Sequence, residues 1–149
     1  MIVLKLKNGG QYWKETIEFA ENCSWIAGPH LAECMRKNEF RDWESVFVSI
    51  IDDKIVGYCT IAEKDFYPEN RYSPWISSVF VDEKFRGNRI SKKMIEEVLK
   101  YAKTIGFKKA YIPTDMEGFY EKYGFEYIDQ LKNYLGNMDN ILEYNIDKI

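Results

Sequence analysis

The fold is decided by residues 79–91, VFVDEKFRGNRIS, which lead from an apolar run through a short polar loop into an amphipathic segment. The apolar run starts at Trp75 and is rich in β-branched and aromatic residues, which is typical of a strand. Between Ile90 and Ile105 the apolar residues recur at helical spacing, with lysines and glutamates on the opposite face. A further short apolar run follows. Residues 75–112 therefore predict a βαβ unit with parallel strands and a right-handed crossover.

The segments on either side of this unit complete the fold. Further strands are predicted at residues 1–6, 45–51, 54–61, 125–129 and 141–146, two helices within 11–40 and a short helix at 116–123. Asp52 and Asp53 form the turn of a β-hairpin. Residues 62–73 predict a polar loop that contains Pro68 and Asn70. This order predicts a mixed sheet with helices on both faces, in a single domain spanning residues 1–149.

Composition and charge exclude several classes of function. The 149 residues include 21 basic and 24 acidic side chains, and this net charge of −3 argues against binding to nucleic acid. No stretch has the length or apolarity of a membrane span, and we expect no membrane partner. The three cysteines fit no disulfide framework, which indicates reduced thiols and a cytoplasmic location. No cluster of Cys and His has the spacing of metal ligands, so no metal is expected.

The polar loop before the predicted central helix has the features of an anion site. A helix N-terminus offers unpaired amides and a partial positive charge, which suit a pyrophosphate. Arg86 and Arg89 add cationic donors, and Ser91 adds a hydroxyl. The alternative is an ordinary polar turn between a strand and a helix. The loop contains neither a P-loop nor a dinucleotide-binding glycine motif.

Residues 86–91, RGNRIS, resemble the [QR]-x-x-G-x-[GA] coenzyme loop of the GNAT N-acetyltransferases. Arg86 matches the first position, whereas Arg89 and Ser91 stand where glycine, and glycine or alanine, are usual. Residues 118–126, GFYEKYGFE, resemble the YEKxGF segment of the same family. The resemblance covers about residues 45–146. It implies an α/β (α+β) fold with a mostly antiparallel twisted sheet of six or seven strands and a central βαβ unit.

The resemblance also implies acetyl-CoA as co-substrate and a site for it. The pantetheine arm would lie along the main chain of a bulged strand, and the pyrophosphate would lie on the loop. The residues implied are Val79, Phe80 and Val81 on the strand and Arg86, Gly87, Asn88, Arg89, Ile90 and Ser91 on the loop. The family reaction is direct attack of an amine on the thioester, which needs an acid to protonate the leaving thiolate.

The resemblance assigns the role of that acid to Tyr120, and the alternative is a packing aromatic. Thr114 and Glu117 have the capping-box pattern at the start of its helix, which is predicted over residues 116–123 and ends at Gly124. Tyr123 lies near the end of this helix and is predicted to be a packing residue.

No general base stands out in the sequence. Asp115 is expected to cap the helix rather than act in catalysis, and Glu63 and Asp65 are expected to be solvated. His30 is expected at the surface. The region of Trp25 and Trp43 is expected to line the acceptor side, as the first helices do in the family.

These observations predict an N-acetyltransferase that acts on a primary amine of a small molecule or peptide, as a monomer or homodimer. A non-catalytic acyl-CoA sensor on the same fold is the alternative, and an interaction domain without coenzyme is a third. The acceptor and the base are not specified by the sequence.

Overall fold

The computed structural model describes residues 1–69 and 71–149, so that Asn70 of the predicted polar loop lies outside the described residues. Its helices are α1 (Trp13–Asn22), α2 (Gly28–Arg36) and α3 (Ile90–Thr104). Its strands are β1 (Ile2–Lys5), β2 (Ser45–Ile51), β3 (Lys54–Ala62), β4 (Trp75–Val81), β5 (Lys109–Thr114), β6 (Glu126–Lys132) and β7 (Met138–Asn145).

The seven strands form one sheet in the order β1-β2-β3-β4-β5-β7-β6. All neighbouring strands are antiparallel except β4 and β5, which are parallel and joined through α3. The predicted mixed, mostly antiparallel sheet and its central βαβ unit are therefore confirmed. The hairpin between β2 and β3 turns at Asp52 and Asp53, which have φ of 51° and 64°, the left-handed angles that a tight hairpin turn requires.

Helices cover both faces of the sheet, as predicted. Alternate residues of β2 point to opposite sides, because side chains alternate along a strand. Phe47 packs in the apolar cluster of α3, whereas Val46 and Val48 pack in the cluster of α1 and α2. The amphipathic pattern that predicted α3 therefore corresponds to its buried face.

Strand β4 is irregular where it passes the centre of the sheet. Tyr58 pairs with Phe80 and Thr60 with Ser77, so that two residues of β4 oppose one residue of β3. Ser78 lies in this bulge with a φ of 53°. Strand β4 pairs with β5 only at Trp75. The two parallel strands therefore diverge beyond that residue and leave an opening between them.

The prediction of a helix at residues 116–123 is wrong for the first half of that segment. Only a 3₁₀ turn forms there, Tyr120–Tyr123. Gly118 has a φ of 77°, which interrupts a helix. Thr114 caps only one amide, accepting from Met116 N at 2.9 Å, and Glu121 rather than Glu117 accepts from Gly118 N. The end of the turn at Gly124, with a φ of 100°, is confirmed.

Candidate active site

The loop between β4 and α3 is held by its own side chains. Asp82 accepts a hydrogen bond from Lys84 N at 3.0 Å. Arg86 folds back across the loop, where its Nε donates to Val81 O at 3.0 Å. Its guanidinium lies 5.4 Å from the centre of the Phe80 ring, within the range of a cation–π contact. Arg86 therefore fixes the loop to β4 while it keeps a positive charge at this position.

The N-terminus of α3 has the features of an anion site. No described side chain caps its first turn, so the amides there lack a side-chain acceptor. Arg89 is the N-cap residue, with φ 59° and ψ 27°, which is the left-handed region that glycine tolerates best. These backbone angles explain why the family pattern has glycine at this position. Gly87 has a φ of 87° and no atom within 4 Å of where a Cβ would lie. Glycine therefore suits this position because of its backbone angle, not because space is short.

A cavity of about 610 Å³ opens between β4 and the Tyr120–Tyr123 turn. Eight of the nine residues predicted to bind the coenzyme line it: Val79, Phe80, Val81, Arg86, Gly87, Arg89, Ile90 and Ser91. Asn88 does not line it. Its side chain instead turns back, and Nδ2 donates to Phe85 O at 2.9 Å. We call this space the coenzyme cavity.

The two tyrosines of the 3₁₀ turn differ in their surroundings. Tyr120 is 6% exposed, and burial, reinforced by Tyr123, Cys59 and Asp115, raises its pKa well above the ordinary value. Tyr123 shares a hydrogen bond with Ser91, with the hydroxyl oxygens 3.0 Å apart. The packing role predicted for Tyr123 is therefore incomplete. The Tyr123 hydroxyl also links the 3₁₀ turn to the first turn of α3.

A second cavity, also of about 610 Å³, lies beyond Tyr120. It shares Val79, Met116 and Tyr120 with the coenzyme cavity. The two spaces therefore adjoin at these three residues, Tyr120 among them. We call this second space the acceptor cavity. Its walls come from the α1–α2 connection, the β3–β4 loop, the end of β5 and the β6–β7 turn.

The two tryptophans expected on the acceptor side are separated in the structure. Trp25 lines the acceptor cavity and stacks parallel to Phe80 at 6.3 Å between ring centres. Trp43 packs instead against Phe107 at 4.8 Å, in the apolar cluster of α3. The expectation for Trp43 is therefore wrong, because the chain after α2 crosses to the other face of the sheet.

Asp65 is half-buried rather than fully solvated as expected. It lines the acceptor cavity, its Oδ1 accepts from Phe66 N at 2.6 Å, and its side chain interacts with Ser77 of β4. Burial raises the pKa of Asp65, and Asp139 adds to the shift whereas His30 opposes it. Glu63 is exposed, as expected.

The β3–β4 loop that carries Asp65 is bound to the last hairpin by tyrosines. Tyr67 Oη donates to Asp139 Oδ2 at 2.8 Å, and Asn133 Nδ2 donates to the same oxygen at 3.1 Å. Tyr72 Oη donates to Asp129 Oδ2 at 2.6 Å. Two walls of the acceptor cavity are therefore fixed to each other. Nothing in the sequence marked these pairs, because their partners lie more than 50 residues apart.

The other polar candidates lie at the edge of the acceptor cavity. Asp115 is exposed and lines its mouth, and the capping role predicted for it falls to Thr114. His30 is exposed, as expected, but it also lines the cavity. Its ring lies 4.6 Å from that of Phe66, and its Nε2 lies 3.4 Å from Cys34 Sγ.

Residues 1–69 and 71–149 contain neither a metal-binding cluster nor a membrane-spanning helix. No group of three or more His, Cys, Asp or Glu side chains there could hold a metal ion. No helix in the same residues is long and apolar enough to cross a membrane.

Comparison with solved structures shows the fold. An aminoglycoside 6'-acetyltransferase type Ii is 19% identical with a TM-score of 0.77, over 98% of this chain and 97% of that one. An aminoglycoside 6'-N-acetyltransferase complexed with coenzyme A is 14% identical with a TM-score of 0.74, over the same shares. A ribosomal-protein-alanine N-acetyltransferase from Brucella melitensis is 14% identical with a TM-score of 0.69, over 97% and 99%.

Sequence comparison gives the family. A search of curated proteins returned no match. The family model described as the acetyltransferase (GNAT) family matches residues 12–125, which include the β4–α3 loop and the Tyr120–Tyr123 turn. Because this match covers well over half of the chain, the protein belongs to the GNAT family of acetyltransferases.

Proposed function

We propose that the protein is an N-acetyltransferase that moves the acetyl group of acetyl-CoA to a primary amine of a small molecule or peptide. The observation that carries this proposal is the junction of the coenzyme and acceptor cavities at Tyr120. A thioester in one cavity and an amine in the other would meet there. The three cysteines are free, which suits the reducing cytoplasm where we place this activity.

The coenzyme is proposed to lie along β4 and the start of α3. Val79, Phe80 and Val81 line the coenzyme cavity, and their main-chain groups that are not paired with β3 would bind the pantetheine amides. The pyrophosphate would lie on the amides around Gly87 and Ile90. Arg86 and Arg89 would add positive charge, which raises affinity for the phosphates. Asn88 shapes the loop rather than touching the coenzyme.

Tyr120 is proposed to protonate the leaving group. When the neutral amine attacks the thioester carbon, the carbon–sulfur bond breaks and the sulfur leaves as a thiolate. The Tyr120 hydroxyl stays protonated because burial raises its pKa. The apolar surroundings disfavour any lasting anion: the proton that Tyr120 gives to sulfur is replaced by the proton that the amine nitrogen loses on becoming the amide, so neither thiolate nor tyrosinate remains. The carbonyl oxygen needs a donor as well, and the amides exposed by the β4 bulge are candidates.

A non-catalytic acyl-CoA sensor would need only the coenzyme cavity. The second cavity of equal volume that meets the first at Tyr120 favours the enzyme.

The proposal is tested by two measurements on the wild-type protein. Calorimetry with CoA should show binding, and free-thiol release from acetyl-CoA should depend on an added amine in a panel of primary amines. Absence of CoA binding at millimolar concentration would exclude both the enzyme and the sensor. Binding without amine-dependent thiol release would favour the sensor.

A further inference from the structure

The charged side chains of the acceptor cavity have one sign. Of the described residues that line it, Asp65, Asp115 and Asp139 carry carboxylates, and none is Lys or Arg. Among these described residues the other ionisable side chains are those of His30 and of tyrosines. The cavity therefore attracts a cation, which is the form in which most primary amines exist near neutral pH.

The three carboxylates are not equivalent. Asp139 Oδ2 already accepts two hydrogen bonds, from Tyr67 and Asn133, so its charge is partly compensated. Asp115 is exposed at the mouth, where water screens its attraction for a cation. Asp65 is the enclosed carboxylate, and it lies beside Ser77 next to the β4 bulge. An ammonium group that reaches the depth of the cavity would therefore meet Asp65.

The mouth of the cavity carries apolar side chains beside Asp115. Four large apolar or aromatic side chains that line it are exposed to solvent: Phe66, Met116, Tyr134 and Leu135. Leu135 is 87% exposed and Tyr134 is 67% exposed, both at the tip of the β6–β7 turn. Exposed apolar groups gathered at one opening, from three separate loops, are typical of a binding site.

We propose, on the basis of the acetyltransferase function above, that the acceptor carries one ammonium group on an apolar or aromatic body. Asp65 is the counter-ion of the ammonium, and Phe66, Tyr134 and Leu135 cover the body. A polyamine or amino sugar fits this cavity less well, because the carboxylates left for its further ammonium groups are Asp115, which is exposed to water, and Asp139, which already accepts two hydrogen bonds. An arylalkylamine and a chain N-terminus that begins with an apolar residue share the required chemistry.

The test measures binding to the CoA-loaded protein, so it does not depend on turnover. Calorimetry compares phenethylamine, 2-phenylethanol, spermidine and a tetrapeptide that begins with Phe. We expect phenethylamine or the tetrapeptide to bind about 10-fold or more tightly than spermidine and than the uncharged alcohol. Spermidine binding equally well or better, or no amine binding at all, would overturn the proposal.

Two sets of variants locate the contacts. Asp65→Asn should weaken phenethylamine about 10-fold or more and leave the alcohol unchanged. Tyr134→Ser should weaken phenethylamine roughly 3- to 10-fold by loss of apolar contact. Tyr127→Ser is the matched control, because Tyr127 is 55% exposed on β6 and lines neither cavity.

The expected outcomes separate this inference from the proposed function. Equal losses for Tyr134→Ser and Tyr127→Ser, or an equal effect of Asp65→Asn on the amine and the alcohol, would contradict the assigned contacts. If the amines bind as expected but acetyl-CoA releases no thiol, the proposed function fails while the cavity assignment stands. If thiol is released with spermidine as the preferred acceptor, the function stands and this inference fails.

Discussion

Replacing Tyr120 with phenylalanine should separate catalysis from binding. The Tyr120 ring packs against Phe119 and Phe125, with ring centres 4.9 and 6.2 Å away, and phenylalanine keeps those contacts. Only the hydroxyl of a residue that lines both cavities is lost. We therefore expect the free energy of unfolding to change by about 1 kcal/mol or less.

The rate should change far more than the stability. Loss of a positioned general acid lowers turnover by roughly 100-fold or more. Because the thiolate exists only late in the reaction, the lost interaction acts on the transition state. The affinity for CoA should then stay within about two-fold of the wild type. The assay is thiol release at saturating acetyl-CoA, paired with calorimetry for CoA and a thermal melt of each variant.

Tyr123→Phe is the matched control in the same turn. Its hydroxyl is hydrogen-bonded to Ser91 in the coenzyme loop. Its loss should therefore weaken CoA binding by a few-fold, by about 1 kcal/mol or less, and leave turnover at saturation nearly unchanged. A Tyr120→Phe protein with wild-type turnover would refute the assignment, as would a Tyr123→Phe protein that loses turnover alone.

The pH dependence gives a further check on Tyr120. Burial raises its pKa above the ordinary value of 10.0, so the hydroxyl remains protonated throughout the working range. No loss of activity below pH 10 should therefore trace to this group. An alkaline limb in that range that disappears in Tyr120→Phe would contradict the raised pKa.

Three other predictions follow from the two cavities and from the packing behind them. Ser91→Glu should lower CoA affinity about 10-fold or more by like-charge repulsion; Ser91→Gln is the neutral control, because it loses the same hydrogen bond to Tyr123, and unchanged affinity in Ser91→Glu would show that the loop is misassigned. Gly57→Ala should destabilise the fold by about 1–3 kcal/mol in denaturant melts, because a Cβ there would lie 2.8 Å from a main-chain oxygen of β4; a neutral effect would contradict that close approach. Affinity for phenethylamine should fall as the pH drops through the raised pKa of Asp65, because the protonated carboxyl no longer attracts the ammonium group. Asp139 reinforces this rise in pKa and His30 opposes it. If the pH dependence of the affinity is the same in Asp65→Asn, the prediction is contradicted.

The fold was predictable because its signals are local. The strand residues before position 82, the amphipathic pattern of α3 and the turn at Asp52 and Asp53 each depend on neighbours in the chain. The coenzyme loop was predictable for the same reason, since its strand, loop and helix follow one another in the chain without a break. The capping box at Thr114 was a local signal as well, but Gly118 overrode it.

The acceptor side could not be predicted in the same way. The role of Asp65 depends on its enclosure between the β3–β4 loop and β4, and the loop itself is fixed by Tyr67 to Asp139, 72 residues away. The bond between Ser91 and Tyr123 likewise joins two segments 32 residues apart. Single residues of these types are common in solvated loops, so their sequence context carries no signal for the pairing.

This difference has a consequence for specificity. The coenzyme cavity lies almost entirely on β4, α3 and the adjacent turn, so a change there alters packing at the centre of the sheet. The acceptor cavity is lined by β4 and β5 at its base, but its exposed walls come from loops, and such loops tolerate substitution. A change at Leu135 or Phe66 can therefore alter which amine is bound without altering how the coenzyme is held. The same fold can then serve different acceptors, and the identity of the acceptor must be argued from the walls of its own cavity.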